Sequence, residues 1–585
     1  MSDQSYNGYQ FGSFYLDPVN RNLFRGASRI HLTPKVFSTL LFLVQNSGRL
    51  VKKEEIIGAV WPESFVEESN LNQNIFVLRK ALGERPGQKY ILTVQTQGFR
   101  FIAPVKELKD GNPHLQDREV SGQAATSAKI RSLAILPFKY LGPTSSDQYL
   151  GYGIADALVM RLSGSRELIV RPTTAVLKYN VLEQDPVAAG LELNVDAVID
   201  GTIQLIADRI RVTVQLIKVY DGATVWADKF DEEFTNIFAL QDLISEQVVK
   251  KLPLKLSLSE HDQLMKGRTA DTEAYKLYLK GRYFWEKRTK AALLKSLEYF
   301  DEAIRRDPVY ALAYTGIADS YILLGQYLFF SPEETLPKAK ASALKALAIN
   351  DSLAEAHASL GETLLYYDWS HAEAEKAYRR ALELNPNYAS AYHWYAWFLM
   401  GEERFDEALL IIKRAQELDP FSLELNTSLG LPFYFMRRYD LAIEQFDETL
   451  EMDPSFTNAH YYKGSALVHK GMYEEAIAEY QRGGTSEYLS QTVAVLGYAQ
   501  AMSGRVDEAM NALNTLKAFS EKRYISPYSM AIVHTGLGDS DEAFRWLEKA
   551  YTERAAWLIW LKIDPFMDPL RDDPRFHDLL TRIRS

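Results

Sequence analysis

Small residues and prolines recur every 34 positions along the second half of this 585-residue chain. Pro386, Pro420 and Pro454 are 34 apart, as are Ala374, Ala408, Ala442 and Ala476, with Ala509 and Ala543 following. Phe405-Asp406-Glu407-Ala408, Tyr473-Glu474-Glu475-Ala476 and Val506-Asp507-Glu508-Ala509 repeat one phrase, and Gly430, Gly464 and Gly497 mark the first helix of their units. A unit this short holds two antiparallel helices and cannot bury its apolar face alone. Alanine and glycine let the helices approach closely. Tyr378, Phe446 and Tyr480 fill the gap between neighbours, and proline ends the second helix. Only stacking completes such a core, so the segment must fold as an all-α superhelical solenoid.

The period and its small residues are the tetratricopeptide (TPR) signature. Eight units are read between residues 259 and 585. The first ends at Asp307-Pro308, and the second carries an insertion near Tyr327 to Leu336. From Trp557 to Pro574 the pattern lapses, and that stretch reads as a C-terminal cap. Arrays of this kind bind proteins or peptides in their concave groove. Tyr392, His393, Trp394, Tyr395 and Trp397 are dense enough to line such a groove, although packing between helices is the commoner use of such residues.

The first 105 residues are of another kind. Leu32-Thr33-Pro34 opens a helix, with Thr33 as cap and Pro34 at its first position. Lys53 to Val60 is a second helix, stopped by Trp61-Pro62. A third runs from about Asn70 to Leu82 and turns Leu71, Ile75, Leu78 and Leu82 inward at helical spacing. That leaves Asn72, Gln73, Asn74, Arg79 and Lys80 for the other faces. Ile91 to Val94 and Phe99 to Ile102 alternate as two strands around Gln95-Thr96-Gln97-Gly98.

This order of elements resembles the winged-helix (α+β) DNA-binding domain of OmpR/PhoB-type regulators, also found at the head of CadC-like regulators. The resemblance rests on Leu32-Thr33-Pro34, Val60-Trp61, Leu78-Arg79-Lys80-Ala81-Leu82 and Gly98-Phe99-Arg100-Phe101. The family also has a small sheet ahead of its first helix, which Tyr9 to Phe24 fits. It implies that the third helix enters the major groove of double-stranded DNA and that the hairpin wing reaches a minor groove. Asn72, Gln73, Asn74, Arg79 and Lys80 are then the helix candidates, Gln97 and Arg100 the wing candidates, and Trp61 a phosphate contact. One departure is plain. Ser69, Phe76 and Val77 stand where relatives often carry basic residues.

Charge agrees with a nucleic-acid-binding head. The whole chain is at −11, yet residues 1–105 carry 12 basic and 8 acidic side chains against 54 and 69 in the remainder. A basic head can meet phosphates while an acidic tail stays off them.

Residues 106–129 have no apolar periodicity and read as a flexible linker. Residues 130–258 read as a small α/β domain. Its elements are a buried strand Leu133 to Phe138, a helix Tyr149 to Ser163, a short strand at Leu168-Ile169-Val170, a short helix Ala188 to Leu193, two long strands (Ala197 to Ile206 and Ile210 to Tyr220) around Ala207-Asp208, a strand from Val225-Trp226 and a closing helix Phe238 to Leu252. The segment resembles the TolB N-terminal-like domain that accompanies CadC-type heads, through Ala134 to Phe138, Asp200-Gly201 and Trp226-Ala227. Gly151-Tyr152-Gly153 hints at a dinucleotide loop, but it lies far from its strand and Asp156 stands where a third small residue belongs; a turn leading into a helix is the better reading. Asp196, Asp200 and Asp208 read as turn and strand-end residues rather than a metal cluster.

The chain has no cysteine, which removes disulfides, thiolate catalysis and cysteine-based metal sites. Its ten histidines form no HExxH or similar set. No P-loop, nucleophile elbow or kinase loop is present, so no enzyme, cofactor or metal is expected. No apolar run reaches the ~18–20 residues of a membrane span and no signal peptide opens the chain, so a cytoplasmic location is expected. No receiver domain precedes the head, so aspartyl phosphorylation within the chain is not expected. The sum is a one-component transcriptional regulator. The head binds promoter DNA, with self-association on tandem half-sites. The TPR array binds a protein or peptide partner or senses a signal. The alternative is a TPR scaffold whose winged helix binds protein.

Overall fold

The computed structural model describes residues 8–584 except 20, 27, 31, 33, 62–67, 85–88, 95–96, 109–129, 143–148, 166, 180–184, 207–208, 234–236, 253–268, 270 and 485–488. The Thr33 cap, the Ala207-Asp208 turn and most of the expected linker fall outside the described residues. The chain forms two compact units. Met1–Lys129 makes the first, to which the segment Asp447–Phe456 also belongs, and Ile130–Phe446 with Thr457–Ser585 makes the second.

The first unit opens with strands β1 (Gly8–Phe11), β2 (Phe14–Asp17), β3 (Asn22–Arg25) and β4 (Ser28–Ile30). Helix α1 (Pro34–Gln45), strand β5 (Leu50–Lys52), helix α2 (Lys53–Val60) and helix α3 (Glu68–Leu82) follow, then the hairpin β6 (Ile91–Val94) and β7 (Gly98–Phe101). β5 pairs with β7 on the side away from β6, giving a three-stranded wing. Phe11, Phe14, Leu40, Val51, Leu71, Ile75, Leu78 and Phe101 share one core. The linker was expected to start at 106, but Lys106–Leu108 is a strand, β8, that pairs antiparallel with β1 and completes a five-stranded sheet in the order β4-β3-β2-β1-β8. Its three side chains are exposed or half-exposed. An edge strand wet on its faces has no alternation for a sequence reading to catch.

The second unit begins with a mixed sheet. β9 (Ser132–Ile135) lies parallel between β11 (Ile169–Val170) and β12 (Ala197–Ile206), and β10 (Lys139–Tyr140) also runs parallel to β12. β12, β13 (Arg209–Lys218) and β14 (Thr224–Glu233) form an antiparallel meander of ten-residue strands. Helix α4 (Tyr149–Leu162) contains Gly151 and Gly153 in its first turns rather than in a preceding loop. Gly151 is there for contact, because a Cβ at that position would stand 1.9 Å from the Phe138 carbonyl oxygen. Gly151→Ala is therefore expected to destabilise this unit by about 1–3 kcal/mol or more, as overpacking against rigid backbone does. A thermal melt unchanged from the parent protein would show that the contact can relax.

From Thr272 helices alternate in pairs. Several pairs close around an aromatic ring set against a glycine of the first helix. A Cβ at Gly361, Gly430 or Gly464 would lie 2.7, 2.4 or 2.6 Å from Tyr378, Phe446 or Tyr480 of the same unit. Phe300 reaches further, touching both Gly281 of its own unit and Gly316 of the next. The first helix of one unit breaks into Leu423–Ser428 and Leu431–Phe435, where Pro432 removes a backbone donor.

Residues 130–258 and 259–585 were expected as separate domains. Packing joins them. Leu133, Ile135, Ile154 and Leu158 lie in one continuous core with Tyr278, Leu279, Phe300 and Tyr310 of the first repeats. Polar ties add to it. Asn387 Nδ2 lies within 2.8–3.0 Å of the carbonyls of Ser163, Ser165 and Leu168. The buried Arg171 donates to Leu193, Asn194 and Leu418 carbonyls at 2.9–3.0 Å, and to that of Glu417. Burial lowers Arg171 to about 10, a value that leaves it charged at neutral pH. Among the described residues no helix is long and apolar enough to cross a membrane.

The stretch expected as a C-terminal cap does more than cover an end. Residues 556–570 fold into two short 3-10 turns that return to the first helices of earlier repeats. Trp560 packs on Tyr366, Trp397 and Trp557. Arg554 donates to the Tyr367 carbonyl at 3.0 Å, and Arg437 to the Ile563 carbonyl and Asp568 at 2.6 Å. The aromatic run resolves accordingly. Tyr395 is buried, and Trp394 and Trp397 pack against the same core. Trp397 donates to His393 at 2.9 Å. Along this stretch the first helices are covered by the chain's own residues 556–570.

Candidate nucleic-acid interface

The head presents helix α3 and the wing side by side. Leu71, Ile75, Leu78 and Leu82 anchor α3 in the core, as their spacing requires. The polar positions divide in a way the spacing does not show. Asn74 is 9% exposed and turns inward, where its Nδ2 donates to Thr39 Oγ1 of α1 at 3.0 Å. Thr39 is fully buried and donates in turn to the Lys35 carbonyl at 2.8 Å. Asn74 thus holds α3 against α1. Asn72 is 6% exposed, with no hydrogen-bond partner for its Nδ2 among the described residues. Both side chains, expected on the DNA-facing side of the helix, are buried in this structure. Polarity was taken as a sign of exposure, and here it serves a polar contact between helices.

Arg79, also expected on the DNA-facing side, is held within the head. Its Nη2 donates to the Ile91 carbonyl at 3.2 Å and to Thr93 Oγ1 at 2.7 Å, both on β6. Its Nε lies 3.5 Å from Glu84 Oε2, and Glu84 Oε1 accepts from the Tyr90 and Ile91 amides at 2.6 and 2.7 Å. Arg79 and Glu84 together fasten the end of α3 to the wing. In this structure the guanidinium is engaged by the wing, by Glu84 and by Glu451 of the Asp447–Phe456 segment.

The remaining candidates are placed as follows. Gln97 is exposed at the wing tip, and its backbone N–H donates to the Val94 carbonyl at 3.0 Å to close the turn. Arg100 sits between the buried Phe99 and Phe101, so it projects to the opposite, outer face of the wing sheet, half-exposed. Trp61 is half-buried against the head core, and Lys35 Nζ lies 5.7 Å from its ring centre while donating to the Val60 carbonyl at 2.6 Å. Phe76 and Val77 are half-exposed on α3. The side chains of Gln73 and Lys80 lie outside the described residues.

One residue escaped the sequence reading. Lys52, the last residue of β5, is exposed and sits directly across from Gly98 in the strand register. That places a cation beside the wing tip. Gly98 permits it: its φ of +153° and the lack of a Cβ, which would meet the Val51 carbonyl oxygen at 2.0 Å, let β5 close on the turn. No local signal marks Lys52, because the pairing of β5 with β7 spans some fifty residues. Among the described residues no group of three His, Asp or Glu side chains could hold a metal ion.

Comparison with known proteins follows this layout. Residues 27–101 match the family model described as "Transcriptional regulatory protein, C terminal". Residues 128–247 match "HilA/YgeH-like transcriptional regulator, second domain", and residues 370–427 and 428–485 match tetratricopeptide repeat models. The chain is 24% identical to the transcriptional regulator HilA of Salmonella typhi over 96% of its own length and 98% of the relative's. It is 30% identical to the transcriptional activator CadC of Escherichia coli (strain K12) over 16% of this chain and 19% of CadC. It is also 28% identical to a putative adenylate cyclase 3 of Rhizobium meliloti (strain 1021), over 40% of each chain.

Proposed function

We propose that this chain, similar to HilA along nearly its whole length and to CadC over 96 residues, controls transcription as a one-component DNA-binding protein without enzymatic activity. The observation that carries the reading is the head itself: a complete α1–α2–α3 set with a three-stranded wing, in the order and extent of the matched regulatory domain. Helix α3 would enter the major groove, with Gln73 and Lys80 as its DNA-facing candidates. Gln97, Arg100 and Lys52 would serve the wing, and Trp61 a phosphate. Asn74 and Arg79 act as positioning residues. Two copies on tandem half-sites complete the reading, and the protein acts in the cytoplasm, where it meets DNA. The α/β domain and repeats, joined by one core, receive the signal or partner. Since residues 556–570 occupy the first helices of several repeats, a protein partner there would compete with the chain's own segment.

The test is retention of fragmented genomic DNA by the full-length protein, with sequencing of what is held and a salt titration of the best fragment. Binding should weaken linearly in log–log form as salt rises, because each neutralised phosphate releases counterions. Lys52→Ala is expected to reduce that slope by about one contact, or about 0.9, with sequence preference unchanged. A slope identical to the parent's would take Lys52 off the phosphates. The scaffold alternative draws support from the half-exposed Phe76 and Val77 and from the inward use of Arg79. Absence of any enriched fragment, with the head folded, would select it.

A further inference from the structure

The first helical pair of the repeats carries charge against the trend of its unit. Residues 272–306, which form the helices Thr272–Trp285 and Lys290–Arg306, hold nine basic and five acidic side chains. The chain beyond the head is acidic as a whole, so this stretch is a basic island within it. It lies within the second compact unit.

Part of that charge is used in packing. Arg282 lies 3.3 Å from Asp156 and Arg288 3.8 Å from Glu286, and their guanidinium carbons stand 4.7 and 3.7 Å from the Trp285 ring centre. Lys276 and Lys295 each lie 2.6 Å from a glutamate one turn away, Glu273 and Glu298. Lys280, Lys287 and Lys290 are left, and none of the three forms an ion pair among the described residues. Lys287 and Lys290 are exposed, and Lys280 is half-exposed.

These lysines stand over aromatic rings instead. Lys287 Nζ lies 4.5 Å from the ring centre of Tyr283 and 4.9 Å from that of Phe284. Lys280 Nζ lies 5.2 Å from Tyr149 and 5.9 Å from Tyr299. Phe284 and Tyr299 stack on each other at 5.5 Å and 25°, which joins the two groups into one strip, and Lys290 stands 4.5 Å from Phe330 beside it. Phe284 and Tyr299 are half-exposed, and among the described residues neither packs into the core that the neighbouring Tyr283 and Phe330 adjoin. A stacked pair of rings outside the core, flanked by unpaired cations, has two kinds of recognition to offer at once.

We propose that this strip binds single-stranded nucleic acid without sequence preference, with phosphates at Lys280, Lys287 and Lys290 and bases stacked against Phe284 and Tyr299. A lysine over an exposed ring is held weakly in water, so a phosphate draws the ammonium aside and leaves the ring to a base. Duplex DNA keeps its base faces inside the stack and would engage the lysines alone. An acidic peptide would do the same. Only a single strand uses the cations and the rings together. The activity is separate from the duplex contact of the head and stands whether or not that reading holds.

The experiment is fluorescence anisotropy of the full-length protein with a short labelled oligothymidylate across a salt series. Binding should saturate and weaken as salt rises, with a log–log slope of about −0.7 for each phosphate contact. Lys280→Ala/Lys287→Ala should weaken it at least tenfold and make the slope shallower by about 1.4. Phe284→Leu/Tyr299→Leu keeps the charge, so it should weaken binding about tenfold with the slope unchanged. Should that variant fail to fold by circular dichroism, stacking is read on the parent protein from quenching of a 2-aminopurine placed in the oligonucleotide. No saturable binding, equal affinity in the folded lysine variant, or an unquenched 2-aminopurine overturns the inference. Displacement of the oligonucleotide by polyglutamate at equal charge overturns it in favour of an acidic peptide. Duplex retention should be the parent's in the lysine variant, and a matching loss there would make the strip a second duplex contact and sink the single-strand assignment.

Discussion

Arg79→Ala should weaken DNA binding at every sequence alike, without relaxing preference at any one base. The guanidinium holds the Ile91 carbonyl and Thr93 Oγ1 of the wing while facing Glu84. Hydrogen bonds from a charged group contribute about 1.5–3 kcal/mol, so the head should melt earlier and the wing should lose its fixed position relative to α3. Binding specificity depends on both elements seating together, so a loosened wing lowers affinity by about tenfold or more, the equivalent of some 1.4 kcal/mol. Arg79→Lys keeps the charge but cannot span both acceptors with a planar fork, so it should recover little. The decisive readout is a selection of bound sequences. A changed base at one operator position, with stability intact, would make Arg79 a reader of bases and would refute the positioning role.

Trp560→Ala should cost the second unit about 3–5 kcal/mol, the range for a buried tryptophan cut to a methyl group. Trp560 is 4% exposed and packs its ring on Tyr366, Trp397 and Trp557 within 4.9–5.6 Å. Its Nε1 donates to the Trp397 carbonyl at 3.3 Å. The contacts bridge units some 160–190 residues apart in the chain, so losing them should release the 556–570 segment from the first helices of the repeats. Proteolysis should then cut near residues 555–570 well before the repeats themselves. A variant that melts with the parent and resists cleavage there would mean that the segment is held by Arg437 and Arg554 without the tryptophan.

The repeats and the head's element order are legible in the sequence because their signals are local or periodic. Ala374, Ala408 and Ala442 are small since two helices meet there in every unit. Leu71, Ile75 and Leu78 fall on one side of a helix whatever surrounds it. The lengths of β6, β12 and α2 follow from alternation and from the glycine and proline around them.

The site was less legible. Asn72, Asn74 and Arg79 were assigned to the DNA face because polar residues on an amphipathic helix ordinarily face water. Whether an amide meets solvent, Thr39 or a hairpin carbonyl depends on what packs alongside, and no periodicity carries that. Lys52 was missed for the converse reason: its place beside Gly98 is a matter of strand register. The chain by itself determined which segments become helices, strands and repeats, since local propensity and hydrophobic period suffice for those. Only the tertiary structure decided that β8 closes the head sheet, that the α/β domain and the first repeats share one core, and that Trp560 returns to Trp397. Each of these is a contact between distant residues, chosen by shape and by the pairing of buried polar groups, and neither quantity is written in any one stretch of sequence.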